Sequence, residues 1–463
     1  MSELPLGWDA LPLDIAATLI RGVSYKKNES SNESSDSLLP ILRANNIQDG
    51  KLDLDDLVYI PADKIKDEQK VKANDIVIAM SSGSKKLVGK SGIATVDFNG
   101  GFGTFCGLLR PKKYFDARYI GHFTRSKYYA DLVSSLSKGV NINNLKPAHF
   151  SEILVPIAPY NEQIRIANKL DSILAKVDKA QARLDKIPAI LKRFRHSVLA
   201  AATSGELTKE WREDNQLEFH MVEKRFEKLL VELRNGISTK PNENGAGHPI
   251  LRISALRAGI VTQEDVRHLE CDSKIVEKYK LLPNDILFTR YNGSLDFVGV
   301  CGLLKTLRYE TLLYPDKLIR ARVTEEVLPE FIEIYFSSPD AREAMISHVK
   351  TTSGQKGISG KDIKNQIVRF PTLLEQKQVV SRVSALLAKA NKVEKQYLDA
   401  KSRLDRLTQS ILAKAFRGEL VPQDPNDEPA EKLLERILAE KELNKPKKTT
   451  RKRTTKAKTA EKE

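Results

Sequence analysis

The chain has 463 residues, 41% of them hydrophobic, and a formal net charge of +15. That length exceeds one ordinary hydrophobic core, so two or more domains are expected. No apolar run approaches the roughly 20 residues that cross a bilayer, and Cys106, Cys271 and Cys301 show neither zinc-ligand spacing nor a disulfide framework. The basic excess favours a polyanionic partner, because cations that contact phosphate displace condensed counterions. The opening stretch, MSELPLGWDALPLD, lacks the basic and apolar regions of a secretory signal, so a cytoplasmic location with no membrane contact is expected.

Residues 1–156 read as a first mixed α+β domain, with a polar loop at Asn28–Ser37 and its clearest strand at Ile76–Met80. Residues 157–212 follow as a helical spacer. Its apolar residues fall at Leu170, Ile173, Val177, Ala180, Leu184, Ile187, Leu191, Phe194 and Val198. This alternating three–four spacing places one apolar seam on a long helix, as in a coiled coil. Pro188 is expected to kink or break it. A second α+β domain spans 213–371, with a strand at Ile286–Thr289 and a helix near Pro329–Ser338. The second spacer, 372–420, repeats the seam at Val383, Leu386, Ala390, Val393, Tyr397, Ala400, Leu404, Leu407 and Ile411, and carries Lys401 where the first has Pro188. Each helix is expected to be roughly 35–40 residues, about 55 Å long. Residues 421–463 form a charged tail expected to be disordered. From Asn444 to Thr459 it holds eight Lys/Arg and no acid, which suits a solubilising tail or a nonspecific DNA-binding arm.

The two halves are related. Pro40–Arg43 recurs as Pro249–Arg252, Asn74-Asp75-Ile76 as Asn284-Asp285-Ile286, and Gly83-Ser84 with Val88-Gly89 as Gly293-Ser294 with Val298-Gly299. Glu162–Leu207 aligns without a gap to Glu375–Leu420, with 15 of 46 pairs identical. Duplication predicts two similar domains and a pseudo-twofold axis within one chain. An axis across the seam makes the two helices antiparallel and intramolecular. The alternative is a coiled coil to another copy or another protein.

Enzyme signals are weak. Gly83–Ser91 resembles a phosphate-binding loop but has five residues between its glycines instead of four, and its copy at Gly293–Cys301 lacks the Lys-Ser. Pro339-Asp340 with Asp362-Ile363-Lys364 matches a loose metal-nuclease pattern of a kind that arises by chance in a chain 30% charged. No Pro-Pro occurs, so the base-holding loop usual in amino-group DNA methylation is missing. The seven histidines form no metal motif.

Polar and basic loops at matching places remain. In the first half they hold Arg43, Asn45 and Asn46, then Ser82, Ser84, Lys85 and Lys86, then Asn143, Asn144 and Lys146. In the second they hold Arg252, Ser254 and Arg257, then Arg290, Asn292 and Ser294, then Ser353, Gln355, Lys356, Ser359 and Lys361. Arg reads guanine and Asn or Gln reads adenine in the major groove, while Lys, Ser and Thr mostly hold phosphates. Any one loop alone reads as plain solvated surface; recurrence in both halves points to DNA. A reader fused to a nuclease or methyltransferase, or a scaffold that reads no bases, are the competing classes.

Several segments resemble the specificity subunits of type I restriction–modification systems over nearly the whole chain. They are Leu4–Trp8, the two aligned spacers with Lys192–Arg195 and Leu407–Leu420, and in the second domain Phe288–Ser294, Tyr314–Arg322 and Thr351–Lys361. The resemblance implies two target-recognition domains, each reading half of a bipartite, asymmetric site on double-stranded DNA. It implies paired helices that set the unread spacer and dock two modification subunits, which use S-adenosylmethionine to methylate adenine. Two restriction subunits, motor-nucleases using ATP and magnesium, complete the enzyme. The chain itself is expected to have no catalytic residues and to bind none of these cofactors or metals directly.

Overall fold

The computed structural model describes residues 4–137, 143–257, 259–352 and 355–443. They divide into two compact units, Met1–Ala182 with Ala400–Glu463, and Arg183–Asp399. Each unit is thus one α+β domain together with part of both helical spacers.

In the first unit a six-stranded sheet runs in the order Ala17–Arg21, Cys106–Pro111, Ile76–Ala79, Ser91–Ile93, Gly50–Leu52, Ile47–Gln48. All four residues of Ile76–Ala79 are buried. Side chains alternate across a strand, so Ile76 and Ile78 enter a core with Tyr119 and Phe123. Val77 and Ala79 enter another with Leu42, Phe102 and Leu108. Two covered faces explain why this strand reads as an unbroken apolar run. Asn74 turns the chain into it with φ 72°, a left-handed conformation Asn tolerates. The Asp75 carboxylate accepts the Lys72 amide at 2.7 Å and one edge of Arg110, Nη2 and Nε, at 2.6 and 2.9 Å. This bidentate hydrogen bonding holds the Arg110 guanidinium above its ordinary pKa range.

The second unit repeats the topology strand for strand: Leu230–Asn235, Leu318–Val323, Asp285–Thr289, Cys301–Leu304, Gly259–Val261, Leu256–Arg257. Ile286 and Phe288 face one core and Leu287 the other. Asn284 turns with φ 71°. Asp285 accepts the Leu282 amide at 2.8 Å and Arg322 at 2.6 and 3.1 Å. The duplication read in the sequence is therefore a duplication of fold, and the α+β class is borne out.

The first spacer forms helix Tyr160–Leu184 and then helix Ile187–Ser204. The break falls where Pro188 predicts it. Proline stands in the first turn of the second segment, where its missing N–H forfeits no helical bond. The second spacer is one 43-residue helix, Leu373–Ala415. In the first unit, Ile166, Ala167, Leu170 and Leu174 share a core with Leu412, Ala415 and Phe416. In the second, Val198 and Ala202 share one with Val379 and Val383. The beginning of the first spacer therefore packs with the end of the second, and its end with the beginning. This is the antiparallel intramolecular pairing.

Along the expected seam Leu170, Leu191 and Val383 are buried, and Ile173, Val177, Leu184, Leu386, Tyr397 and Leu404 are half-buried. Phe194, Val393 and Leu407 are corrections, exposed at 37%, 42% and 48%. Beside Val393 the contact is polar, with Arg195 donating to Asn391 at 2.9 Å and Glu394 at 2.7 Å. Beyond Leu407 the apolar face turns toward the domain, where Phe416 packs edge-on against Tyr119 and Phe123 at 5.1 and 5.5 Å.

The tail also departs from expectation. Residues 421–443 are not disordered: they include helix Ala430–Leu443, and Ala430, Leu433 and Ile437 enter the first unit's core. Their helical spacing supplies an apolar face despite the charged composition around it. Residues 444–463, with the run of cations, lie outside the described residues.

The Glu-Gln that opens each aligned block ties helix to domain. Gln163 is fully buried, donates to the Ala158 carbonyl at 2.8 Å and accepts the Asp116 amide at 3.1 Å. Gln376 does the same with the Pro371 carbonyl at 2.9 Å and the Leu328 amide at 2.8 Å. Both amides stand at the start of a short helix, Ala117–Phe123 or Pro329–Ser337, where no intrahelical acceptor exists. Glu162 accepts the Trp8 indole N–H at 3.0 Å. Glu375 instead accepts Thr208 at 2.6 Å and pairs with Arg212. Gln163→Leu or Gln376→Leu strands a buried carbonyl and an amide at once. Each is expected to destabilise its unit by about 2–4 kcal/mol, read as a lowered thermal midpoint relative to Gln→Glu at the same site.

Candidate nucleic-acid interface

The polar loops extend beyond the six-stranded sheets, those after the central strands into separate small ribbons, and the fold brings three sequence-distant groups together in each unit. In the first, strand Ser81–Ser82 pairs antiparallel with Asn143–Asn144, with Ser82 opposite Asn143 and Ser81 opposite Asn144. The Ser82 hydroxyl accepts the Ser84 amide at 3.1 Å and shapes the turn that exposes Ser84, Lys85 and Lys86. Gly89, at φ 81° and packed on Val133, returns the chain to the sheet. Lys146 is exposed just past the ribbon. The Arg43 loop joins through Gln48, which donates to the Asn45 carbonyl at 2.9 Å and accepts Lys90 at 2.8 Å.

The second unit repeats the convergence with different side chains. Tyr291–Asn292 pairs with Gln355–Gly357, placing Asn292 opposite Lys356. Gln355–Gly357 also pairs with Lys350–Thr352, so this ribbon has three strands. Asn292 accepts the Ser294 amide at 3.1 Å, the counterpart of the Ser82 turn. Gly299, at φ 65°, packs on Met345 as Gly89 packs on Val133. The Arg252 loop joins through Arg257, whose guanidinium lies 5.1 Å from the Phe297 ring centre. Arg290 stacks on Tyr291 at 4.7 Å. Arg257 and Ser254 are exposed, and Arg290 is half-buried.

Some expected contact residues serve the loops themselves. Asn46 is 1% exposed; its amide donates to the Asp53 and Asp56 carbonyls at 3.0 and 2.8 Å and its oxygen accepts the Arg43 amide. It holds the loop and does not face a ligand. Ser359 caps helix Gly360–Lys364, donating to Asp362 at 2.6 Å. Ser294 caps the turn Leu295–Phe297. Gln355 and Lys361 are exposed and Lys356 is half-buried, while Ser353 lies outside the described residues. Gln48 and Phe297 are not among the contact residues the sequence suggests, and Lys90 enters there only through the stretch that resembles a phosphate-binding loop. The repeat offset that relates Arg43 to Arg252 also relates Gln48 to Arg257, and was the available signal.

The enzyme-like patterns fall into ordinary roles. The stretch resembling a phosphate loop leads into strand Ser91–Ile93, so no helix N-terminus stands behind it. Asp362 is engaged by Ser359, and among the described residues no three His, Cys, Asp or Glu side chains converge.

These features have relatives. The family described as type I restriction modification DNA specificity domain matches residues 7–189. The chain is 55% identical over 461 residues to the type I restriction enzyme EcoKI specificity subunit of Escherichia coli (strain K12), covering 97% of this chain and 99% of that one. It is 43% identical over 465 residues to the StySPI specificity subunit of Salmonella potsdam, with the same coverage. A chain solved in work on complex assembly and conformational transition of the type I R-M system shares the fold at a TM-score of 0.63 and 16% identity, across 91% of this chain and all of that one. With its doubled sheet, paired helices and near full-length similarity, this chain belongs to the family of type I restriction enzyme specificity subunits.

Proposed function

We propose that this chain is the noncatalytic DNA sequence-specificity subunit of a type I restriction–modification complex, acting in the cytoplasm, with each domain reading one half of a bipartite, asymmetric site. The observation that carries this reading is the convergence of the same three polar loops in both units, on one scaffold but with different side chains. Equal scaffolds present equal reading heads. Differing residues at matched places, such as Asn45 against Ser254, read different bases. Each wrong base pair costs about 1–3 kcal/mol, so two short half-sites together give high selectivity.

The helices act as the ruler. A continuous helix of 43 residues is about 64 Å long and fixes a separation better than a flexible linker does. The same helices dock two modification subunits, and two restriction subunits complete the assembly. S-adenosylmethionine, ATP and magnesium act in those partners and not on this chain. Purified alone, the chain is expected to turn over neither S-adenosylmethionine nor, with magnesium, DNA.

Mapping of methylated adenines in cells carrying the chain and its partners is expected to return a two-part motif with a constant gap. Replacing residues 1–156 by the matching domain of a relative should change one half of that motif and leave the other intact; a change in both halves overturns independent reading. Inserting one heptad into each helix should lengthen the gap while both half-sites persist. An unchanged gap overturns the ruler.

A further inference from the structure

Each unit places a carboxylate on the surface where DNA is expected. Asp56 accepts the Arg43 guanidinium at 2.9 Å and the Asn45 amide at 2.8 Å through the same oxygen, and its carbonyl also takes Arg43. Asp265 pairs with the Arg252 guanidinium at 2.9 Å. Both pairs span 13 residues and recur at one repeat offset: Arg43 becomes Arg252 and Asp56 becomes Asp265. The carboxylates are 76% and 62% exposed, the arginines 35% and 33%.

Stability does not account for this arrangement. An exposed ion pair contributes little to folding, and an acid on a phosphate-facing surface weakens nonspecific attraction. Each contact is made at a single guanidinium nitrogen, Nη2 in Arg43 and Nε in Arg252, and an arginine tethered there loses less side-chain freedom when its remaining N–H groups meet a base. It is also withheld from the nearest phosphate. The Arg43 loop is joined to the ribbon loops through Gln48 and Lys90, and the Arg252 loop through Arg257 and Phe297, so both arginines stand within the converged surface.

We propose that Asp56 and Asp265 are matched positioning residues, each holding the first-loop arginine of its own domain so that the guanidinium reads a base pair in one half-site. The proposal rests on the DNA-specificity role proposed above. Through its shared oxygen Asp56 sets Arg43 and Asn45 as a unit. In the second domain Ser254 replaces Asn45, and Glu243 supports the cluster by pairing with Arg267 at 3.0 Å.

The test uses the full-length chain assembled with its modification subunits, and duplexes varied one base pair at a time across both half-sites. Asp56→Ala is expected to lower base preference at one position of the first half-site about tenfold, within the range that one wrong base pair costs. Preferences in the second half-site should hold, and affinity for unrelated duplex should stay equal or rise. Asp265→Ala should mirror this in the other half-site. Asp56→Asn, which keeps an acceptor oxygen, should retain most of the preference. Thermal midpoints should match the parent, since both carboxylates are exposed. Unchanged preferences in both half-sites, or equal flattening of both by either variant, overturns the proposal. A parent complex that shows no base preference overturns the specificity role itself.

Discussion

A buried glutamine at the start of each long helix has to satisfy its amide without water, and this constraint organises each unit. Gln163 and Gln376 lie where a helix, the strand before it and the start of a short domain helix meet. Leaving either partner unpaired costs far more than one hydrogen bond contributes. The domain is therefore fixed at one angle to the beginning of its helix. The sheet inherits that orientation, because its central strand is buried on both faces and a one-residue slip would drive the side chains of each core into the other. The loops in turn inherit it from the sheet.

Loop chemistry is then free to differ where the scaffold does not. The turn after the central strand is closed by Ser82 in one unit and Asn292 in the other, and in both a glycine at positive φ returns the chain to the sheet. Between those fixed points the first unit exposes two lysines, while the second places Leu295, Asp296 and Phe297 there. The link between the first and second loops survives a complete change of chemistry, from an amide–ammonium hydrogen bond to a guanidinium on a ring. Such tolerance suits a surface whose ligand preference varies while its frame does not.

The frame was largely legible in the residues because its signals are periodic or repeated. The seam spacing, the break at Pro188 and the buried run at Ile76–Ala79 each follow from local geometry. What was not legible depends on partners far along the chain. Asn46 resembles an adenine-reading side chain until the carbonyls of Asp53 and Asp56 fold over it. Val393 and Leu407 continue the heptad, yet Arg195 and the turn of the apolar face toward Phe416 leave them exposed. Leu433 and Ile437 have helical spacing that the surrounding charge obscures, and only the first unit's core reveals where they pack.

The way the chain divides has a consequence for its biosynthesis. The second unit is one continuous stretch, Arg183–Asp399, whereas the first needs Leu412, Phe416, Leu433 and Ile437 to close its core. Domains ordinarily complete in the order in which they leave the ribosome. Here the N-terminal sheet emerges first but stays open on its helical side until Leu433 and Ile437 have been translated. The half made later is the half finished first.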